Sequence, residues 1–209
     1  MREEPRSGCA INAAVEALGD PWTLIVLRDV IFGGRRHFRD LLTRNDEGIA
    51  SNVLASRLRK LVEGGLLTRD GATRGQKATY TLTEAGIQTL PVMVALGAWG
   101  LRHRPTTSEL AVRARLLAEG SPDLVEELMD ELREIHLGVM RESPKSPTAS
   151  ERLQRAYEAA IATATADSAP KGRGAVSICG SAAGRDQPRG RRSRSTAGQG
   201  TSSEAPSAR

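Results

Sequence analysis

Aromatic residues are scarce: two Phe, two Trp and two Tyr, 3% of the 209 residues. Any core must therefore be aliphatic, built mostly from Leu, Val, Ile and Ala. Cysteine is scarcer still. Cys9 and Cys179 alone make neither a disulfide framework nor a structural zinc site. No run of about 18 apolar residues occurs, which leaves no single-helix membrane span. The opening Met1-Arg-Glu-Glu-Pro-Arg6 lacks the apolar stretch of a secretory leader, so a cytoplasmic protein is expected. There is no glycine-rich nucleotide loop, no cluster with metal-ligand spacing and no Ser/His/Asp arrangement. Acids that could be called paired, Asp29 with Asp40 or Glu126 and Glu127 with Glu131, suit solvated helix faces. No enzyme activity, metal or cofactor is expected.

Charge is present but unevenly placed. Residues 1–104 hold fifteen Lys/Arg against eleven Asp/Glu, residues 105–167 seven against twelve, and residues 168–209 eight against two. The high overall pI thus comes largely from the C-terminal tail, and the local placement of cations matters more than the total.

The most informative stretch is Ile49 to Glu63. Leu54, Leu58, Leu61 and Val62 fall on one helical face, while Asn52, Ser56, Arg59 and Glu63 lie opposite, with Ala55 and Lys60 at the flanks. Ser51 is placed to cap the helix, and Gly64-Gly65 to end it in a left-handed turn. One face is made for burial. The other carries short polar groups and cations suited to base edges and phosphates, or simply to water. Gly65 to Arg69 and Ala78 to Leu82 then alternate as two strands around Asp70-Gly-Ala-Thr-Arg74-Gly-Gln-Lys77, a hairpin with a flexible basic tip. A helix followed by such a hairpin is the winged-helix arrangement, with the helix in the major groove and the loop on phosphates or the minor groove.

Around this centre, Cys9 to Leu18 forms a short helix with Ile11, Val15 and Leu18 on one side. Asp20 and Pro21 start the next, Trp22 to Ile31, which is apolar almost all round and should be central. Arg35, Arg36 and His37 suggest a short edge strand, and Phe38 starts a helix. Arg35, Arg36 and Arg39 could grip a phosphate or be solvated. His37, with no nearby ligand partner, should face solvent or phosphate. Arg57, beside the apolar stripe, suits an internal ion pair. Thr83 should cap a long helix to about Arg104, bent or loosened by Pro91. Its apolar breadth, with Leu90, Val94, Trp99 and Leu101, suggests a dimer interface with a partner's first helix, unless residues 105–165 cover it. Residues 108–119, 122–140 and 148–164 form further helices. The middle one carries a stripe of Leu124, Leu128, Leu132, Ile135 and Val139 and an acidic polar face. From about residue 167 the composition is that of a disordered basic tail.

Cys9 with Ala17-Leu-Gly-Asp-Pro-Trp-Thr-Leu-Ile-Val-Leu-Arg-Asp29, Arg36-His-Phe-Arg-Asp-Leu41, Ile49 to Leu67, Tyr80-Thr-Leu-Thr-Glu-Ala-Gly86 and Trp99 together resemble the HxlR-type winged-helix transcriptional regulators of bacteria. The resemblance covers residues 9–107. It implies a mainly α fold with a small β-hairpin wing, acting as a homodimer on inverted-repeat operators in double-stranded DNA. Outside residues 9–107, the pattern gives an N-terminal arm over residues 1–8, a helical extension over 108–166, which only part of the family has, and a tail beyond. The recognition helix falls on Ser51–Glu63, the wing on Asp70–Lys77, and a cysteine used as a redox sensor by some members on Cys9. There the helix start and Arg6 would favour a reactive thiol, against the simpler reading of an inert one. Departures are Ala10 where many members have Pro, and Gly75-Gln76 where many have Pro in the wing. Expected DNA contacts are Ser51, Asn52, Ala55, Ser56, Arg59, Lys60, Arg36, Arg74 and Lys77. Ile11, Val15, Leu90, Val94, Trp99 and Leu101 are the expected dimer interface. The rival reading is a protein-interaction module on the same scaffold that no longer binds DNA.

Overall fold

The computed structural model describes residues 6–71 and 77–168. Arg74, Cys179 and the basic tail lie outside them. In chain order the elements are α1 (Ala10–Leu18), α2 (Pro21–Gly33), α3 (Phe38–Thr43), α4 (Ser51–Glu63), β1 (Leu67–Asp70), β2 (Thr79–Leu82), α5 (Glu84–Ile87), α6 (Leu90–His103), α7 (Ser108–Glu119), α8 (Pro122–Leu137) and α9 (Ala149–Ser168). The architecture is mainly helical with one two-stranded antiparallel sheet, a winged helix-turn-helix as expected. No single described helix is long and apolar enough to cross a membrane.

Helix α2 sits at the centre. Asp20 accepts from the Thr23 backbone N–H at 3.2 Å, Pro21 occupies the first turn, and Val26, Leu27, Val30 and Ile31 are buried. Leu41, Leu54, Leu58, Leu61, Leu67, Leu82, Ile87 and Leu90 complete an aliphatic core. A fully buried Leu contributes about 1.5–3 kcal/mol, so Leu54, Leu58 and Leu61 suffice to fix which face of α4 points inward. The same core continues through Leu117, Leu124, Leu128, Met129, Leu132 and Leu153 of the extension.

Three local expectations are corrected. Ser51 is the first helical residue of α4, not its cap; Ala50 holds that place without a side-chain bond. The helix predicted from Thr83 to Arg104 is two helices. Thr83 caps only α5, and the chain breaks at Gln88 and Thr89. Pro91 then lies in the first turn of α6, where a missing N–H costs nothing. The α8 stripe is not buried throughout. Leu124, Leu128 and Leu132 are inside, but Gly138, at φ +71°, ends the helix and turns the chain away, leaving Ile135 and Val139 more than half exposed.

Two glycines shape the corner between α4 and the wing. Gly65, at φ +68°, makes the left-handed turn from α4 into β1. At Gly86 a Cβ would lie 2.2 Å from the Leu66 carbonyl oxygen, so only glycine lets α5 approach β1. Thr83 Oγ1 seals this corner, accepting from Gly86 N–H at 3.1 Å and donating to Gly65 O at 2.6 Å.

Candidate nucleic-acid interface

Helices α3 and α4 form the two arms of a helix-turn-helix, and buried charge fixes their turn. The Asp29 carboxylate is 5% exposed. It accepts from Arg28 Nη2 at 2.7 Å and Asn45 Nδ2 at 3.0 Å, and Arg35 Nη1 lies 3.0 Å away. Arg28 also reaches Glu47 with both terminal nitrogens. Asn45 Oδ1 in turn accepts from the Ile49 N–H at 3.1 Å. The turn between α3 and α4 is thereby tied to α2. Mutual bonding holds the Glu47 carboxyl below its usual range, the Arg28 hydrogen bond outweighing the effect of burial.

Helix α4 has its own anchor. Arg57 grips Asp20 in a two-pronged ion pair, Nε to Oδ1 at 2.6 Å and Nη2 to Oδ2 at 2.7 Å. This is the internal pairing its position beside the stripe suggested. Burial pushes the Asp20 carboxyl up, but Arg57 and the Thr23 N–H together bring it below its ordinary value. With Leu54, Leu58 and Leu61 inward, the opposite face presents Ser51, Asn52, Ala55, Arg59 and Lys60 to solvent, and Ser56 half-buried. The ion pairs among the described residues leave Arg59 and Lys60 unengaged.

The wing pairs Leu67 with Leu82, Thr68 with Thr81, Arg69 with Tyr80 and Asp70 with Thr79. The edge strand suggested by Arg35 to His37 shrinks to a single bridge, His37 with Thr79. His37 is half-buried, not simply turned to solvent: its Nδ1 is 3.1 Å from the Ala78 carbonyl oxygen. Arg36 is a second correction. Its Nε donates to Tyr80 O at 3.3 Å and its Nη2 to Thr81 Oγ1 at 2.5 Å, so two of the guanidinium's five N–H groups are committed to β2 instead of being wholly available to phosphate. Lys77, at the base of the wing, is exposed, as are Arg39, Arg44 and Arg69. Periodicity did not single out Arg44 or Arg69 as contacts; their signal is only that they flank α4 and the wing tip.

The expected dimer residues separate in the structure. Ile11 and Val15 are 75% and 58% exposed, and α1 has no buried residue at all. Trp99 is 47% exposed, with Arg104 4.9 Å above its ring. Val94 and Leu101 are half-buried. Leu90 is a correction: it is fully buried in the chain's own core, because the α5–α6 break turns the start of α6 inward, and no partner can reach it. The exposed row of α6 is instead Val92, Leu96 and Trp99, one helical face that the spacing of Leu90 and Val94 concealed. Helix α7 covers another side of α6, with Ala114 Cβ 3.3 Å from the position a Gly97 Cβ would take. Residues 105–165 thus cover α6 in part. Cys9, at the start of α1, is exposed. Arg6 is committed to Glu16, its N–H at 3.2 Å from Oε1, and not to the thiol.

A core-anchored helix with a polar, cationic outer face, set after a braced turn and before a two-stranded wing, defines a winged helix-turn-helix regulator of transcription. The chain belongs to the HxlR-like helix-turn-helix family, whose model matches residues 17–108. It is 38% identical over 109 residues to an HTH-type transcriptional regulator of Mycobacterium bovis, covering 52% of this chain and 67% of that one. A counterpart in Synechocystis is 33% identical over 89 residues, covering 42% and 64%. Among solved structures, PA1607 is 31% identical with a TM-score of 0.44, covering 49% of this chain and 70% of that one. The reduced form of the transcriptional regulator YodB from B. subtilis is 26% identical with a TM-score of 0.38, covering 46% and 95%.

Proposed function

We propose that the protein acts as a homodimer that sets two copies of α4 into successive major grooves of an inverted-repeat operator. The observation that carries this reading is the outer face of α4: Asn52, Arg59 and Lys60 are exposed, while Asp20, Asp29 and the leucine stripe fix the helix from behind. Asn52 suits adenine and Arg59 suits guanine, each by a two-bond contact; Ser51, Ala55 and Ser56 line the approach. Lys60 and, at the wing, Arg74 and Lys77 contact phosphate. Ile11 and Val15 of α1 and Val92, Leu96 and Trp99 of α6 make the dimer contact, being exposed apolar rows that a partner copy could cover.

Selection of bound duplexes from genomic fragments tests the reading. A palindromic consensus with half-sites one helical turn apart is expected. A monomer in solution, or equal grip on random DNA at moderate salt, would refute it. Oxidation of the exposed Cys9 is proposed to change operator affinity; an equal response in Cys9→Ser would end that part. The alternative, an interaction module that does not bind DNA, is disfavoured because the outer face of α4 carries no exposed apolar anchor.

A further inference from the structure

We propose that the helical extension positions the wing, with His136 of α8 holding strand β2 in the place from which the wing meets DNA; the inference rests on the reading of that wing as a DNA contact.

In an antiparallel pair, alternate residues turn their N–H groups toward and away from the neighbour. The Thr83 N–H donates back to Leu66 O at 3.1 Å, on the β1 side. Those of Tyr80 and Leu82 point the other way, to the outer edge of β2. Tyr80 N–H donates to Arg36 O at 2.8 Å. Leu82 is fully buried, so its N–H needs a partner inside the protein. That partner is His136 Nδ1, 3.2 Å away. A side chain from the extension thus stands where a third strand would have supplied a carbonyl.

The grip is rigid on both sides. Leu128, Met129 and Leu132 bury α8 in the common core. One turn before the histidine, Arg133 Nη2 donates to Glu84 Oε1 at 2.8 Å, in the helix that directly follows β2. Helix α8 therefore holds both the end of β2 and the start of α5. The imidazole must be an acceptor at Nδ1, with its proton on Nε2. Burial, with Arg36 nearby, lowers its pKa to about 4, so the acceptor is present at neutral pH. On the near side of the same strand, the Arg36 side chain holds Tyr80 O and Thr81 Oγ1. The strand is clamped along its outer edge, and Lys77 projects at the free end of the clamped segment.

The test uses the full-length protein and duplexes selected from a random pool. His136→Leu removes the acceptor, and His136→Asn keeps an acceptor oxygen. Arg133→Ala releases α8 from α5 without altering the core, and serves if His136→Leu fails to fold. Three quantities are read: amide exchange at Leu82, the thermal midpoint, and the slope of log affinity against log salt. His136→Leu is expected to lose protection at Leu82, to bind every duplex several-fold more weakly and to show a salt slope shallower by about one ion. His136→Asn should restore all three, and Lys77→Ala should flatten the slope no further in the His136→Leu background. A wild-type slope and affinity in a variant that has lost Leu82 protection would overturn the proposal. So would weaker binding that follows the thermal midpoint with an unchanged slope. If the wild-type protein binds no duplex, the DNA reading falls, and this inference falls with it.

Discussion

Asp20 is the residue whose removal best separates local from tertiary contributions. Its carboxylate caps α2 and pairs with Arg57 of α4. Losing an N-cap costs about 1 kcal/mol. The ion pair is two-pronged, but the Asp20 side chain is 37% exposed and that of Arg57 19%, so solvent screening limits its worth to about 1 kcal/mol. Asp20→Ala should therefore cost about 2 kcal/mol. Asp20→Asn, which keeps a capping oxygen, should cost about half of that. At this chain length 1 kcal/mol moves the melting midpoint by about 2–4 °C, so about 4–8 °C is expected for Ala and about 2–4 °C for Asn. A double-mutant cycle with Arg57→Ala, followed by calorimetry, isolates the pair. The carboxyl is held below its ordinary value, so the pair's stabilisation is full above about pH 4 and fades as acid titrates the group through its lowered folded value. Equal losses for Asn and Ala would refute the division into cap and pair, and so would a coupling energy near zero.

Arg59→Ala should cost about 1–3 kcal/mol on the selected operator and relax preference at one base pair, whereas Lys77→Ala should weaken all duplexes alike; competition binding at several salt concentrations distinguishes them. Gly86→Ala forces a methyl group to within 2.2 Å of the Leu66 carbonyl and should lower the melting temperature by more than a surface change would, read by thermal unfolding. The His136 imidazole is neutral when folded, its pKa held at about 4 by burial and Arg36. Its contribution is therefore full above about pH 6.5 and is lost as pH falls from there toward 4, and His136→Asn should remove that part of the acid slope.

The helix-turn-helix and the hairpin were legible because the apolar periodicity of Leu54, Leu58 and Leu61 and the turn chemistry around Gly71 act locally. The Asp20–Arg57 pairing was half legible: Arg57 stood on the wrong side of α4 to read a base, but nothing in the spacing named Asp20. The fates of Arg36 and Leu90 were not legible. Arg36 lies among other arginines, and only the fold brings it against Tyr80 and Thr81, forty-odd residues later. Leu90 shares a helical pattern with Val94, and only the break at Gln88 and Thr89 turns it inward. His136 carried no signal at all, because its partner is a backbone N–H, which every residue but proline offers.

The occupied outer margin of β2 bears on how the molecule behaves in a crowded solution. An unpaired sheet margin invites strands from other molecules to add to it, the first step toward fibres and precipitates. Here Arg36 and His136 already take the outward N–H groups of Tyr80 and Leu82 that an intruding strand would claim, so that margin is blunted against such addition.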